Sequence, residues 1–314
     1  MVLQHVLEKY LNDDRQLARN TKRRFVYSLN RWKRLLGSDG TEHDFGEFRR
    51  RCLDAGLSPH SAEQTVRDIF TLLRYAGVEA DIGRRLRCPP PAPRVPTIEE
   101  IDAVISCAES AQWPTRQAPG PWWRAYFATG LWTALRLRDL LGLTWDLVSS
   151  DLIRCRPQKT LRYGLDQEIP IHDAVARALQ SLPKESEAVF AYQTSFKQMR
   201  REIARLCKLA KVPYFTPHDI RRAGVTMWSL AHPEAGRLIH GSGKRDIMKH
   251  YLSPIQILRA AAIKCRLPDS LLTPEEKDRV VRDELELVAR FRLADPDQRN
   301  LILQLSGQIV RAPG

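Results

Sequence analysis

Arg84-Arg85-Leu86-Arg87-Cys88-Pro89-Pro90-Pro91-Ala92-Pro93-Arg94-Val95-Pro96 divides the chain in two. Five prolines within residues 89–96 can neither continue a helix nor enter a sheet interior, so the stretch reads as an extended, stiff linker. Its arginines, Arg87 and Arg94 among them, are placed to follow a polyanion. Directly after it, Thr97 and Glu100 form a capping box ahead of Ile101, Val104 and Ile105, which marks the start of a helix. The resulting layout is a first domain over 1–86, a linker over 87–97, a second domain over 98–265 and a helical extension over 266–314.

On the amino-terminal side the pattern is helical. Leu3, Val6, Leu7, Tyr10 and Leu11 follow helical spacing, as do Phe25, Leu29, Trp32 and Leu36. Ala62, Val66, Ile69, Phe70, Leu73 and Ala76 line a third stripe that stops at Gly77. The outward positions of the second segment are Lys22, Arg23, Arg24, Arg31, Lys33 and Arg34, six cations with no acid among them. Such a run is either a solvated face or a phosphate-binding face, and the lack of acids favours the latter.

On the other side the chain is mainly helical with a small β insertion. Apolar helices are expected over about 121–145, and a hairpin from Leu152–Arg156 and Glu168–Ile171. Further helices are expected over 173–181, 194–210, 217–230 and 245–252. Thr273-Pro274-Glu275-Glu276 and Asp295-Pro296 then open two helices in the extension.

Composition narrows the function. The chain has 314 residues and 43% hydrophobic content, enough for two cores. Lys+Arg 50 against Asp+Glu 37 leaves +13, an excess suited to nucleic acid. No apolar run approaches the roughly 18 residues of a membrane span. The start MVLQHVLEKYLNDD lacks the basic tip and apolar stretch of a secretory signal, so a cytoplasmic protein is expected. Cys52, Cys88, Cys107, Cys155, Cys207 and Cys265 lie far apart with no metal-ligand spacing, so no metal is expected. The sequence holds no GxxxxGK[ST] and no GxGxxG, which argues against an ATPase or a dinucleotide enzyme.

Four stretches carry chemistry. Thr133 to Trp145 reads as one apolar helix with Arg136 beside its buried stripe, either paired with Asp139 or aimed into a cleft. Thr216-Pro217-His218-Asp219-Ile220-Arg221 opens a helix, with His218 and Arg221 on one face of the first turn beside free backbone N–H groups. That arrangement suits a structural cap or a bound phosphate. Lys159 sits in a turn past the first strand, where a lysine is usually solvated, and Tyr251 lies on a short helix, where a tyrosine usually packs.

The order Arg136, Lys159, His218 with Arg221, then Tyr251, resembles the tyrosine recombinase (phage integrase) family over residues 1 to about 255. The resemblance implies a mainly α fold: a helical, SAM-like core-binding domain, then a mixed α+β catalytic domain with a small antiparallel sheet and a helical tail. It departs from the family at three places. In the arginine box Ala134 takes a position usually held by glycine and Asp139 one usually held by glutamate, and Arg222-Ala223-Gly224 follows the HxxR box. Nine residues before Tyr251 stands Ser242, where the family has histidine or tryptophan; His240 is the preferred substitute and Ser242 the alternative.

What the resemblance implies for function is site-specific DNA cutting and rejoining through a 3′-phosphotyrosyl intermediate, without cofactor, metal or ATP. Tyr251 is then the nucleophile, Arg136 and Arg221 the phosphate clamps, His218 the proton acceptor, Lys159 the leaving-group acid and His240 the third-box residue. The expected partners are double-stranded DNA carrying a specific site, a homotetramer on two such sites and a DNA-bending accessory protein, all at the nucleoid. Residues 273–307 are expected to link subunits or restrain the tyrosine helix. Two other readings compete: a catalytically inactive DNA-binding relative, and a strand-passage enzyme of the type IB topoisomerase kind.

Overall fold

The computed structural model describes residues 2–13, 17–37, 44–88, 94–115, 118–155, 167–191, 196–241 and 253–293, with 287–293 described by backbone alone. The chain forms two compact units, Met1–Pro93 and Arg94–Gly314.

The first unit is a bundle of α1 (Leu3–Asn12), α2 (Arg19–Leu36), α3 (Phe45–Asp54) and α4 (Pro59–Tyr75). Each start and stop has a local cause. The Asp44 carboxylate accepts the Gly46 and Glu47 amides, Ser58 caps α4 ahead of Pro59, and Gly37 ends α2 at φ 74°. The apolar stripes meet in one core built on Phe25, Leu29, Trp32, Phe48, Ile69 and Leu72. Trp32 packs edge-on against Phe48 at 4.7 Å. A buried ion pair, Arg49 to Glu63 at 2.6 Å, also receives the Leu86 amide at 3.0 Å and so ties the chain leaving the unit to α4.

The second unit contains α5 (Ile98–Ser106), α6 (Pro119–Thr133), α7 (Leu137–Leu141), β1 (Leu152–Cys155), β2 (Gln167–Pro170), α8 (Asp173–Gln180) and α9 (Phe196–Leu209). It continues with α10 (Pro217–Ala231), α11 (Pro233–His240), α12 (Pro254–Ala262) and α13 (Pro274–Leu293). The fold is mainly helical with a small antiparallel sheet, in register Leu152↔Pro170 to Cys155↔Gln167.

α6 is apolar on nearly every side and runs through the core, with Trp122, Trp123, Tyr126, Phe127, Leu131 and Trp132 all buried. α5, α7, α8 and α10 pack against it. α11 and α12 were not expected from the sequence, and the expected helix over 245–252, Arg156 of the first expected strand and the helix from Asp295 lie outside the described residues. Thr273 and Glu276 cap α13 reciprocally, and Arg177 of α8 holds Glu276 through two hydrogen bonds of 2.6 and 3.1 Å. Among the described residues no helix is long and apolar enough to cross a membrane.

Candidate active site

The expected single helix through Arg136 is broken. α6 stops at Thr133, Ala134 adopts φ 46° and ψ 32°, and α7 begins only after Arg136. The reason lies far along the chain. The Trp228 indole donates to the Trp132 carbonyl at 2.7 Å, and the Arg221 guanidinium donates to the Ala134 carbonyl. The Thr133 hydroxyl donates to the Thr129 carbonyl at 2.6 Å. Side chains of α10 therefore satisfy carbonyls at the end of α6 that a continuing helix would have paired internally. α10 comes close enough to do so because residue 224 is glycine: a Cβ there would lie 2.1 Å from the Leu131 carbonyl oxygen.

The break places Arg136 at the N-cap of α7 with about a third of its side chain (35%) exposed. Among the described residues the acid it reaches is the buried Asp139, at 4.0 Å, the outer limit of an ion pair. The head therefore keeps an open side.

At the start of α10, the Asp219 carboxylate accepts the Thr216 amide at 2.8 Å and the Thr216 hydroxyl at 2.7 Å, and binds Arg222 at 2.7 Å. The acid of this turn is thereby consumed by the cap. Arg221 is almost fully buried, at 5% exposure, and donates to the His240 carbonyl at 2.8 Å as well as to Ala134. Burial, and after it the nearby charge of Arg136, lowers the Arg221 pKa to about 10, so the group stays cationic at neutral pH. His218 is exposed on the first turn. Partial burial first, then the charges of Arg222 and Arg221 and more weakly Arg136, hold its pKa below the ordinary imidazole value, with Asp219 opposing them. A neutral imidazole facing two guanidiniums can accept a proton, and the guanidiniums can hold an anion.

Of the residues named from the sequence, Arg136, His218 and Arg221 come together. His240 ends α11; its carbonyl meets Arg221 and its side chain is exposed. Lys159, Ser242 and Tyr251 lie outside the described residues.

The cations of α2 do not act as one set. Arg24 binds both oxygens of Asp68, at 3.1 and 2.9 Å, Arg31 donates to Thr65 at 3.1 Å, and Lys33 donates to Gln4 at 3.2 Å. Lys22, Arg23 and Arg34 are exposed, and Arg23 lies 6.0 Å from the ring of the exposed Tyr27. Arg87 is exposed, whereas Arg94 is stapled to its own unit: it donates to the Pro213 and Tyr214 carbonyls, both at 3.0 Å, and to Glu100 at 2.6 Å.

Sequence reasoning missed a second basic face. Lys197, Arg201 and Lys208 form one exposed stripe of α9, flanked by Arg200 and Lys211. The acid of that helix, Glu202, is buried against Arg205 at 2.8 Å and away from the stripe. Arg138, two residues beyond Arg136, lies 5.9 Å from the ring of Phe196, and Tyr214, just before the α10 cap, is 46% exposed. The signal was present as cations spaced four and seven apart. Among the described residues no group of three or more His, Cys, Asp or Glu side chains is placed to hold a metal ion.

No protein-family profile matches the chain. It is 26% identical over 243 residues to the tyrosine recombinase XerC of a Shewanella species, an alignment covering 70% of this chain and 78% of the relative. Among solved structures it resembles a lambda integrase dimer bound to a COC′ core site, with a TM-score of 0.62, 19% identity, and coverage of 79% of this chain and 97% of that one. A lambda integrase tetramer bound to a Holliday junction gives the same TM-score of 0.62 at 17% identity, over 81% of this chain and 78% of that one.

Proposed function

Because the chain belongs to the tyrosine recombinase (phage integrase) family, we propose that it is a site-specific DNA recombinase that cuts and rejoins strands through a 3′-phosphotyrosyl intermediate. The observation that carries the reading is the Arg221 guanidinium, buried and held by two backbone carbonyls beside Arg136 and a neutral His218. Burying a fixed charge is costly, and a structural role alone is poorly served by two like charges side by side. An incoming phosphodiester anion relieves that repulsion.

In this reading Arg136 and Arg221 bind the non-bridging oxygens of the scissile phosphate and stabilise the charge that grows in the pentacoordinate transition state. The Tyr251 oxygen attacks phosphorus while its proton passes to His218, and the bond to the 5′ oxygen breaks as Lys159 protonates that oxygen. His240 serves at the third box. The phosphotyrosyl bond retains the energy of the phosphodiester, so a 5′-hydroxyl from a second strand reseals it without ATP. The two guanidiniums supply the charge neutralisation for which other phosphoryl-transfer enzymes use a metal.

The domains take their roles from the same reading. Residues 1–86 clamp DNA through Lys22, Arg23 and Arg34, with Arg87 at the linker, while 98–265 catalyse and add the basic face of α9. Four copies on two DNA sites, with a DNA-bending accessory protein, complete the assembly, in the cytoplasm at the nucleoid.

The test is an SDS-resistant adduct assay in EDTA on nicked duplex DNA from the regions flanking the gene, with wild type and Tyr251→Phe side by side and a gel shift on the same DNA. An adduct with wild type alone is expected. A gel shift without an adduct would overturn the catalytic reading in favour of a DNA-binding relative, with Ser242 the first suspect.

A further inference from the structure

Arg221 is gripped from two sides, by the Ala134 carbonyl after α6 and by the His240 carbonyl at the end of α11. The distance between those carbonyls decides where the guanidinium lies. One short strand reaches both turns. At one end of β2 the Pro170 carbonyl accepts the Trp132 indole N–H at 2.6 Å, two residues before Ala134. At the other end the Gln167 amide donates to the Leu238 carbonyl at 2.8 Å, two residues before His240. β2 is therefore a strut between the two jaws that hold Arg221.

The two ends of the strut differ. Trp132 is buried in the core and fixed by packing as well as by its hydrogen bond. Gln167 is half-buried, and its link to α11 is one side-chain amide. Gly241 adds a second sign that this contact is built: it sits at φ 69°, and a Cβ there would lie 3.3 Å from the Gln167 amide nitrogen. The amide thus packs against the backbone of the turn that follows His240.

We propose that Gln167 is a positioning residue for the phosphate clamp, acting through the last turn of α11 on the direction of the Arg221 guanidinium. The inference rests on the recombinase reading, since it assigns Gln167 a role in that reaction. It requires no contact between Gln167 and DNA.

The test compares wild type, Gln167→Leu and Gln167→Glu in single-turnover cleavage of a nicked duplex. Two versions of the DNA are used, one with the natural scissile phosphate and one with a non-bridging sulfur, each diastereomer separately. Gln167→Leu is expected to cleave the natural substrate about tenfold more slowly, the scale of one lost hydrogen bond, with DNA affinity unchanged. Sulfur accepts N–H bonds poorly, so a displaced guanidinium has less to lose from it. The rate penalty for sulfur at one diastereomer should therefore shrink in the variant. Gln167→Glu keeps the shape of the side chain but sets an acceptor against a carbonyl; it should show the same pattern, and it keeps the proposal testable if the leucine variant melts. Wild-type cleavage by both variants, or slower cleavage with an unchanged sulfur penalty, would overturn the proposal. A wild-type chain that forms no adduct on either DNA would instead overturn the recombinase reading, and the inference with it.

Discussion

Arg221 and Ala134 are joined across 87 residues of sequence by a guanidinium-to-carbonyl hydrogen bond, and Ala134 presents that carbonyl from the left-handed region of backbone space. A residue with a Cβ is strained there by about 1 kcal/mol or more. Its methyl group is nevertheless fully buried, which returns about 0.8 kcal/mol. Ala134→Gly should therefore leave stability within about 1 kcal/mol of wild type, and cleavage intact. Ala134→Val adds β-branched strain in a packed site and should cost about 3 kcal/mol. Denaturant melts of the two variants check both numbers.

The two arginines should respond differently to removal. Arg136→Ala should lower cleavage about 100-fold or more, on the scale of a lost oxyanion donor, with little change in stability because its head is partly exposed. Arg221→Ala should lose cleavage at least as severely. It should also destabilise the fold by about 1–3 kcal/mol, since it removes the buried donor to the Ala134 and His240 carbonyls. Equal melting midpoints for the two variants would contradict this account.

Cleavage should have an acid limb set by His218. A proton acceptor works only when neutral, and the neutral fraction rises as pH rises through its pKa. Burial and neighbouring guanidiniums lower that pKa, so the limb should have its midpoint below about 6.5, with full activity at neutral pH. Arg222→Ala removes one of those cations and releases the Asp219 carboxylate it binds. Both changes favour imidazolium, so the midpoint should move upward. Single-turnover rates between about pH 5 and pH 8 would read it.

Salt dependence separates the basic groups. Removing Lys197, Arg201 and Lys208 together should weaken binding uniformly across DNA sequences and reduce the slope of log K against log salt by about 0.9 for each phosphate no longer neutralised. Arg24→Ala should leave that slope nearly unchanged and instead destabilise the first unit, because Asp68 is buried and loses a two-point partner.

The tail gives a further outcome. A chain ending after Leu272 keeps the buried Leu271 and the Ser270 amide that binds Asp102 at 2.7 Å, so it should fold and bind a single DNA site. Without α13 it should fail to assemble into the tetramer, as sedimentation on paired sites would show. Normal strand exchange by this truncated chain would remove any role of residues 273–307 in linking subunits.

Local features were legible in the sequence. The capping boxes at Thr97 and Thr273, the cap at Thr216, the helical stripes of α1, α2 and α4, and the hairpin strands to within about a residue all follow from neighbouring side chains. The break at Ala134 was not legible, because Trp228 and Arg221, which satisfy the freed carbonyls, lie far away in the chain. Leu137, Leu140 and Leu141 keep helical spacing on the far side of the break, so periodicity reads straight through it. Arg24 and Arg31 looked equivalent to Arg23 until α4 supplied Asp68 and Thr65. The stripe on α9 went unread because its apolar face is as regular as its basic one.

The cationic stripe of α9 is exposed, and no residue on it bonds to Arg221 or to the carbonyls that hold it. The basic face proposed to meet the duplex is thus close in sequence to the arginine clamp yet shares none of the hydrogen bonds that hold it. Randomised libraries at Lys197, Arg201, Ala204 and Lys208 should change affinity for duplex of any sequence while the proposed cutting chemistry stays constant. The same search at Leu131, Ala134 or Gly224 would mostly return proteins that no longer cut.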